Sequence, residues 1–353
     1  MPTTTLGVGF VGAGPVTQAI HLPTLARLPE AFDVVHITDV DPEIAASVAA
    51  RVGARSSSTI EQLLDDPAVD VVAVCSPHRF HAAQVTAACR AGVKGVLCEK
   101  PFAMSGQEAS EIAAVSAETG VPILVGAMHT FDPGWRAAQA NWGDLATTTH
   151  SIRSSIVLPP NPRFEDFATE VITRPDRPAL DLTDAEVRAG LVQGGIMGLA
   201  IHDLPLVRAL LSDFEDLAVL SAETLAPFGY QVVLTASGTR IELHAVMSAT
   251  WRPDWVLEAY SEDKHLHVQF TPSYVHAGSA ISTLTSRATA RTFGPEAFNG
   301  YEGEWRELAA VALSQAAPPD TGVLIDDLRF ALRIAEAAAQ RIRNAAAGEV
   351  VAA

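Results

Sequence analysis

The segment Val8-Gly9-Phe10-Val11-Gly12-Ala13-Gly14-Pro15-Val16-Thr17 sets a Gly-x-Gly turn between an apolar strand and the start of a helix. Gly12 and Gly14 would let the backbone turn tightly and approach a pyrophosphate, while Pro15 and Val16 open a helix whose N-terminus faces that negative charge. Thr17 stands where a third glycine would complete the pattern. A second β-branched run, Val34–Asp39, ends in an acid at the distance expected for the next strand of the same unit. Asp39 then has two readings. It accepts hydrogen bonds from both ribose hydroxyls of an adenosine, or it is a solvent-facing acid of the turn Asp39-Val40-Asp41-Pro42. The first reading favours NAD, because a 2′-phosphate would meet the carboxylate's charge, and it leaves NADP open.

Other side chains could act on a substrate. His129, in Met128-His129-Thr130-Phe131-Asp132-Pro133, reads as a substrate contact or as a hinge histidine between domains. Arg153, with Arg163 and Arg174, supplies the cations nearest a stretch from Pro159 to about Asp184 that lacks a helical pattern; they would meet an anionic substrate or simply face solvent. That stretch reads as a loop over a site or as disorder. His265 and His267 alternate on one strand face, but no third ligand follows at a suitable spacing, so no metal is expected. Trp251 and Trp255 read as sugar-lining or as packing residues.

These residues need a scaffold. From Leu6 to about Pro122 short β-branched runs alternate with Ala-rich stretches, the rhythm of βα units on a doubly wound parallel sheet. Residues 1–127 therefore read as a dinucleotide-binding Rossmann domain. Residues 128–353 read as an α+β substrate and oligomerisation domain, with a large, mostly antiparallel open sheet and closing helices packed back on the first domain. The excess of 41 acidic over 24 basic side chains repels a phosphate backbone, so nucleic acid is an unlikely partner. No apolar run is long enough to span a bilayer, so no membrane partner is expected. The apolar start reads as a first strand rather than a secretory signal. Cys75, Cys89 and Cys98 form no complete disulfide framework, and together these features point to the cytoplasm.

Joined to Cys75-Ser76-Pro77-His78-Arg79-Phe80-His81 and Cys98-Glu99-Lys100-Pro101, these features resemble the glucose-fructose oxidoreductase and inositol dehydrogenase family, Gfo/Idh/MocA. His21-Leu22-Pro23, Gly194-Gly195 leading to His202, and Tyr301-Glu302-Gly303-Glu304-Trp305 extend the likeness over nearly the whole chain. The resemblance implies an NAD(P)-dependent oxidoreductase moving hydride between nicotinamide and a secondary hydroxyl or ketone of a sugar, cyclitol or related polyol. Ser76, Pro77, His81, Glu99, Lys100 and Pro101 would border the cofactor, although a capping role explains His81 equally well. Lys100 and His202 would be the catalytic pair that also touches substrate, since hydride leaves carbon only as the hydroxyl proton is withdrawn.

The chain departs from the family pattern at two places. Gly198 stands where the family has an acid four residues before the histidine, and Thr130 stands near an expected Arg, leaving His129 the titratable ring close by. Tightly bound NAD serving redox-neutral elimination, epimerisation or glycoside cleavage is an alternative, as is a nucleotide-binding regulatory role without catalysis. The family likeness and the open sheet together imply a homodimer or homotetramer.

Overall fold

The computed structural model describes residues 5–174, 180–272, 274–276 and 278–348. Six strands, β1 (Leu6–Val11), β2 (Phe32–Thr38), β3 (Arg55–Ser57), β4 (Val71–Val74), β5 (Gly95–Glu99) and β6 (Ile123–Gly126), pair in parallel in the order β3-β2-β1-β4-β5-β6. Every residue of β1 and β4 is buried, as strands covered on both faces require. The strand order reverses between β1 and β4, so the carboxyl ends of these two strands mark the switch point where α/β sheets hold ligands.

The crossover helices start and stop where local chemistry directs. Asp41 accepts from Glu43 N and Ile44 N ahead of Pro42–Val52, Ser105 from Glu108 N ahead of Gly106–Thr119, and both helices end on a left-handed glycine, Gly53 and Gly120.

The second sheet is built from β7 (Ser151–Leu158), β8 (Ala218–Thr224), β9 (Gly229–Ala236), β10 (Thr239–Met247), β11 (Asp254–Tyr260), β12 (Lys264–Gln269), β13 (Ile281–Ser286) and β14 (Ala290–Phe293). Its order is β14-β13-β12-β11-β7-β10-β9-β8, antiparallel except where β10 runs beside β7. Alternation selects one buried face. Ile152, Ser154 and Ile156 lie level with Ala259, Leu257 and Trp255 of β11 and with Ile241, Leu243 and Ala245 of β10, and all nine are buried.

Two compact units result. One holds the described residues within 1–126, 164–175 and 301–328, and the other those within 127–163, 176–300 and 329–353. The stretch from Pro159 to Asp184, expected to lack helix, contains one from Pro162 to Ala168; residues 175–179 of it lie outside those described. Pro162 sits at the first helical position, where its missing N–H costs nothing, and Phe164 is buried. In the first unit this segment is tied down by Ile172 N donating to Gln18 Oε1 (3.0 Å) and Arg51 Nη1 donating to Glu170 O (2.8 Å).

At the head of the second unit a short turn, Met128–Phe131, leads into the helix Pro133–Gln139. Buried Asp132 caps that helix through Gly134 N (2.8 Å) and Trp135 N (3.3 Å), and it also accepts from Ala280 N (2.9 Å). Losing the cap and orphaning the Ala280 amide should cost roughly 2–4 kcal/mol. Asp132→Ala is therefore expected to lower the urea midpoint markedly, while Asp132→Asn, which keeps an accepting oxygen, retains most of the stability.

Candidate active site

In the first unit the glycine turn has the shape a dinucleotide needs. Gly12 has φ +101°, and a Cβ there would lie 2.8 Å from the backbone of Cys75, so only glycine fits. A Cβ on Gly14 would meet nothing within 4 Å, leaving room for a phosphate to approach. Thr17 Oγ1 donates to Gly12 O (2.6 Å) and Gln18 Nε2 to Ala13 O (2.7 Å), which turns two carbonyls of the loop toward protein donors. Thr17, at the third glycine's place, thus braces the turn with its hydroxyl. The helix that follows begins with a wide turn over Thr17–His21.

Asp39 follows β2 and fastens the same loop. Its Oδ2 accepts from Ala13 N (2.8 Å) and its Oδ1 from Asp41 N (3.0 Å). Each carboxylate oxygen has a second lone pair with which to accept from a ribose hydroxyl. The open glycine turn at the switch point and the half-buried acid after β2 fit a nicotinamide dinucleotide.

Glu99 and Lys100 stand at the carboxyl end of β5. Trp305 Nε1 donates to His21 Nδ1 (3.1 Å), which makes that nitrogen an acceptor and places the ring proton on Nε2, facing Glu99 Oε1 at 3.0 Å. Glu99 Oε2 accepts from Lys100 N (3.2 Å). Burial raises the Glu99 carboxyl, but the His21 bond and the Lys100 charge outweigh it and leave the group below the ordinary value, ionised. Burial lowers the Lys100 ammonium below the ordinary lysine range, against the opposing pull of Glu99. A lysine so placed gives up its proton more readily than a solvated one.

Around this pair, His81 is wholly buried, with Nδ1 2.8 Å from Pro101 O and Nε2 2.8 Å from Ser76 O. Both of its nitrogens face protein carbonyls, so His81 clasps the loops carrying Ser76, Pro77 and Pro101 and has no nitrogen turned to a cofactor. Glu99, likewise expected at the cofactor, is committed to His21 and the Lys100 amide. His78, not singled out from the sequence, has its pKa pushed down to about 4 by burial, then by Lys100 and His81.

The second unit brings His129, His202 and Asp203 together over the buried sheet face. His129 Nδ1 lies 2.7 Å from Asp203 Oδ1, Ser154 Oγ donates to Asp203 Oδ2 (2.7 Å), and Trp255 Nε1 donates to both oxygens (3.0 and 2.8 Å). The His202 ring lies 6.2 Å from that of His129 and 5.7 Å from that of Trp255. The helix Ala185–Gly198 breaks at Leu199, and His202 rides a separate tight turn, Ala200–His202. Position 198 and His202 therefore do not share one helix. Asp203, the residue that a continuous helix would have pointed away, is the centre of the cluster.

Arg153 does not join it. Strand neighbours point to opposite faces, and with Ser154 on the buried face Arg153 lies on the other, its side chain 56% exposed and Nη1 3.9 Å from Glu258. Arg163 donates to Thr250 O, and Arg174 pairs with Glu165 and Asp166. Trp255 is fully buried packing, whereas Trp251 is exposed. His265 stacks on Tyr260, and among the described residues no group of three or more His, Cys, Asp or Glu could hold a metal. Among them, too, no helix is long and apolar enough to cross a membrane.

Residues 6–127 match the family described as oxidoreductases with an NAD-binding Rossmann fold, Gfo/Idh/MocA. An inositol 2-dehydrogenase of Saccharopolyspora erythraea is 37% identical over 133 residues, which cover 37% of this chain and 39% of that relative. A second inositol 2-dehydrogenase of the same organism is 27% identical over 320 residues, covering 85% of this chain and 83% of the relative. The solved UDP-N-acetylglucosamine 3-dehydrogenase of Acidithiobacillus ferrooxidans shares the fold, with a TM-score of 0.73 and 19% identity over 96% of this chain and all of that one.

One buried acid in the first unit makes a prediction. Glu304 is wholly buried, and neither carboxyl oxygen has a hydrogen-bond partner among the described residues. Burial, then the Glu99 charge, raises it well above the ordinary 4.5, so the folded chain keeps a proton that the unfolded chain releases. Stability should consequently fall as pH rises above about 4.5. Glu304→Gln removes this penalty: calorimetry should give a higher Tm than wild type at pH 8 and a gap that narrows toward pH 4.5.

Proposed function

The chain belongs to the Gfo/Idh/MocA oxidoreductase family through residues 6–127, and from this premise we propose that it oxidises a secondary carbinol of a cyclitol or sugar, or reduces the matching ketone. The observation that carries the proposal is Lys100, half-buried at the end of β5 beside an ionised Glu99 that His21 and Trp305 hold in place. The substrate class follows the relatives, which are inositol 2-dehydrogenases. When bound, the nicotinamide supplies the acceptor or donor of hydride.

The chain's own residues do the rest. Gly12, Gly14, Pro15 and Val16 receive the dinucleotide, with Ser76, Pro77 and Pro101 bordering it. Asp39 favours a ribose carrying two hydroxyls, hence NAD over NADP. Lys100, with its proton affinity lowered by burial, hydrogen-bonds the reacting oxygen and exchanges its proton. His129 contacts the substrate. The outer face of the second sheet, with Arg153 and Glu258, pairs with another copy of the chain to give a homodimer or homotetramer.

Absorbance at 340 nm with NAD or NADP and a panel of inositols and sugars tests the proposal. Wild type should reduce NAD with at least one polyol, and Lys100→Ala should lose about 10²–10⁴-fold in kcat/KM. Arg153→Ala should stay within about twofold of wild type in kcat/KM, because the side chain lies on the sheet face opposite Ser154. Asp39→Ala should narrow the preference for NAD over NADP. A flat trace from protein that binds the nucleotide would overturn the reading in favour of redox-neutral chemistry on retained NAD.

A further inference from the structure

Strands β2 and β3 of the first unit carry a group of polar side chains that hydride transfer does not use. β3 is the edge strand of the parallel sheet, and it pairs with β2 so that Arg55 lies level with His36 and Ser57 with Thr38. Alternation puts His36, Arg55 and Ser57 on one face. Asp66, just after the helix Ile60–Leu64, closes the group. His36 is 5% exposed and Asp66 8%. His36 Nδ1 lies 2.8 Å from Asp66 Oδ2, and His36 Nε2 lies 2.9 Å from Ser57 Oγ. Asp66 Oδ1 accepts from Ala68 N (3.0 Å) and from Arg55 Nη2. Burial raises the Asp66 carboxyl, but the His36 bond, the Ala68 amide and the Arg55 charge outweigh it and leave the group below its ordinary value. An ionised carboxylate can only accept, so its contact with His36 is satisfied when Nδ1 carries the proton. Nε2 is then bare and accepts from the Ser57 hydroxyl.

Ser57 does not need this arrangement merely to satisfy its hydroxyl. It is half-buried, and Thr59 O (3.3 Å) is a second acceptor for it. The buried pair adds a base aimed at the hydroxyl and a carboxylate that orients the base, the sequence of contacts that makes a serine nucleophilic. Exposed Ser56 and Ser58 flank Ser57, so its neighbours along the chain are small.

We propose that Ser57, activated by His36 and Asp66, is a nucleophile that takes the acyl group of an activated ester. This activity goes beyond hydride transfer and needs neither nicotinamide nor Lys100. Ser57 Oγ bonds to the acyl carbon as its proton passes to His36 Nε2. The bond from that carbon to the leaving oxygen breaks, its electron pair goes with the oxygen, and Nε2 returns the proton to it. Water, deprotonated by the same nitrogen, then releases the carboxylic acid and restores the serine. The charged groups facing His36 are Asp66, after the helix Ile60–Leu64, and Arg55 of β3. Asp66 is a positioning residue that holds the ring proton on Nδ1 and stabilises the imidazolium.

The test treats the full-length protein with p-nitrophenyl acetate, follows the released p-nitrophenolate by absorbance and locates the acetyl group by peptide mass spectrometry. Wild type should carry acetyl on Ser57, and Ser57→Ala should lose that adduct and the nitrophenolate released with it. His36→Gln should slow acetylation of Ser57 by about 10²-fold or more. In wild type the rate should rise with pH as His36 loses its second proton and then level off. Asp66→Asn should move that rise to lower pH, because the imidazolium has lost its counter-charge. Acetyl found on lysines with none on Ser57, or acetylation of Ser57 at the wild-type rate in His36→Gln, overturns the proposal. Should His36→Gln fail to fold, the wild-type profile decides: a rate with no such step across the pH range in which the chain stays folded overturns it equally.

Discussion

A lysine ammonium buried in protein is costly unless a carboxylate answers it, and a carboxylate so buried is costly unless donors surround it. The first unit meets both conditions at the end of β5. Glu99 answers Lys100, His21 answers Glu99, and Trp305 fixes which nitrogen of His21 does so. Each partner comes from a different part of the chain: the turn after β1, the strand end itself, and the helix Gly300–Ala312. The helix after the glycine turn therefore carries His21, which holds Glu99 beside Lys100.

The second unit solves the same problem with neutral donors. Asp203 sits on a buried sheet face where an indole and a hydroxyl donate to it and the Nδ1 of His129 lies 2.7 Å away. The two carboxylates differ in what they support. Glu99 tunes a lysine by charge, whereas Asp203 fixes the tautomer of a histidine by geometry.

The parallel sheet and the glycine turn were legible because their signals are local: period-two apolar runs, a Gly-x-Gly after a strand, an acid after the next. Lys100 could be placed because it ends a strand and precedes Pro101. The chain of bonds behind Glu99 could not be read, since His21 lies 78 residues from Glu99 and Trp305 lies 284 residues from His21, and nothing in their spacing joins them. Asp203 did not stand out in the sequence, because the break at Leu199 re-aims everything after it. Arg153 carried a readable signal that went unused. Ile152, Ile156 and Leu158 mark the buried face of β7, and an odd-numbered arginine between them must face outward.

Hydride transfer from a carbinol carbon is the central step of the proposed reaction. Incubating the protein with NAD and myo-inositol deuterated at its carbinol carbons, then weighing the reduced nucleotide by mass spectrometry, observes that step directly. The account predicts reduced NAD carrying one deuterium. Label washed into water, or no reduced nucleotide from protein that binds both NAD and the polyol, would contradict it.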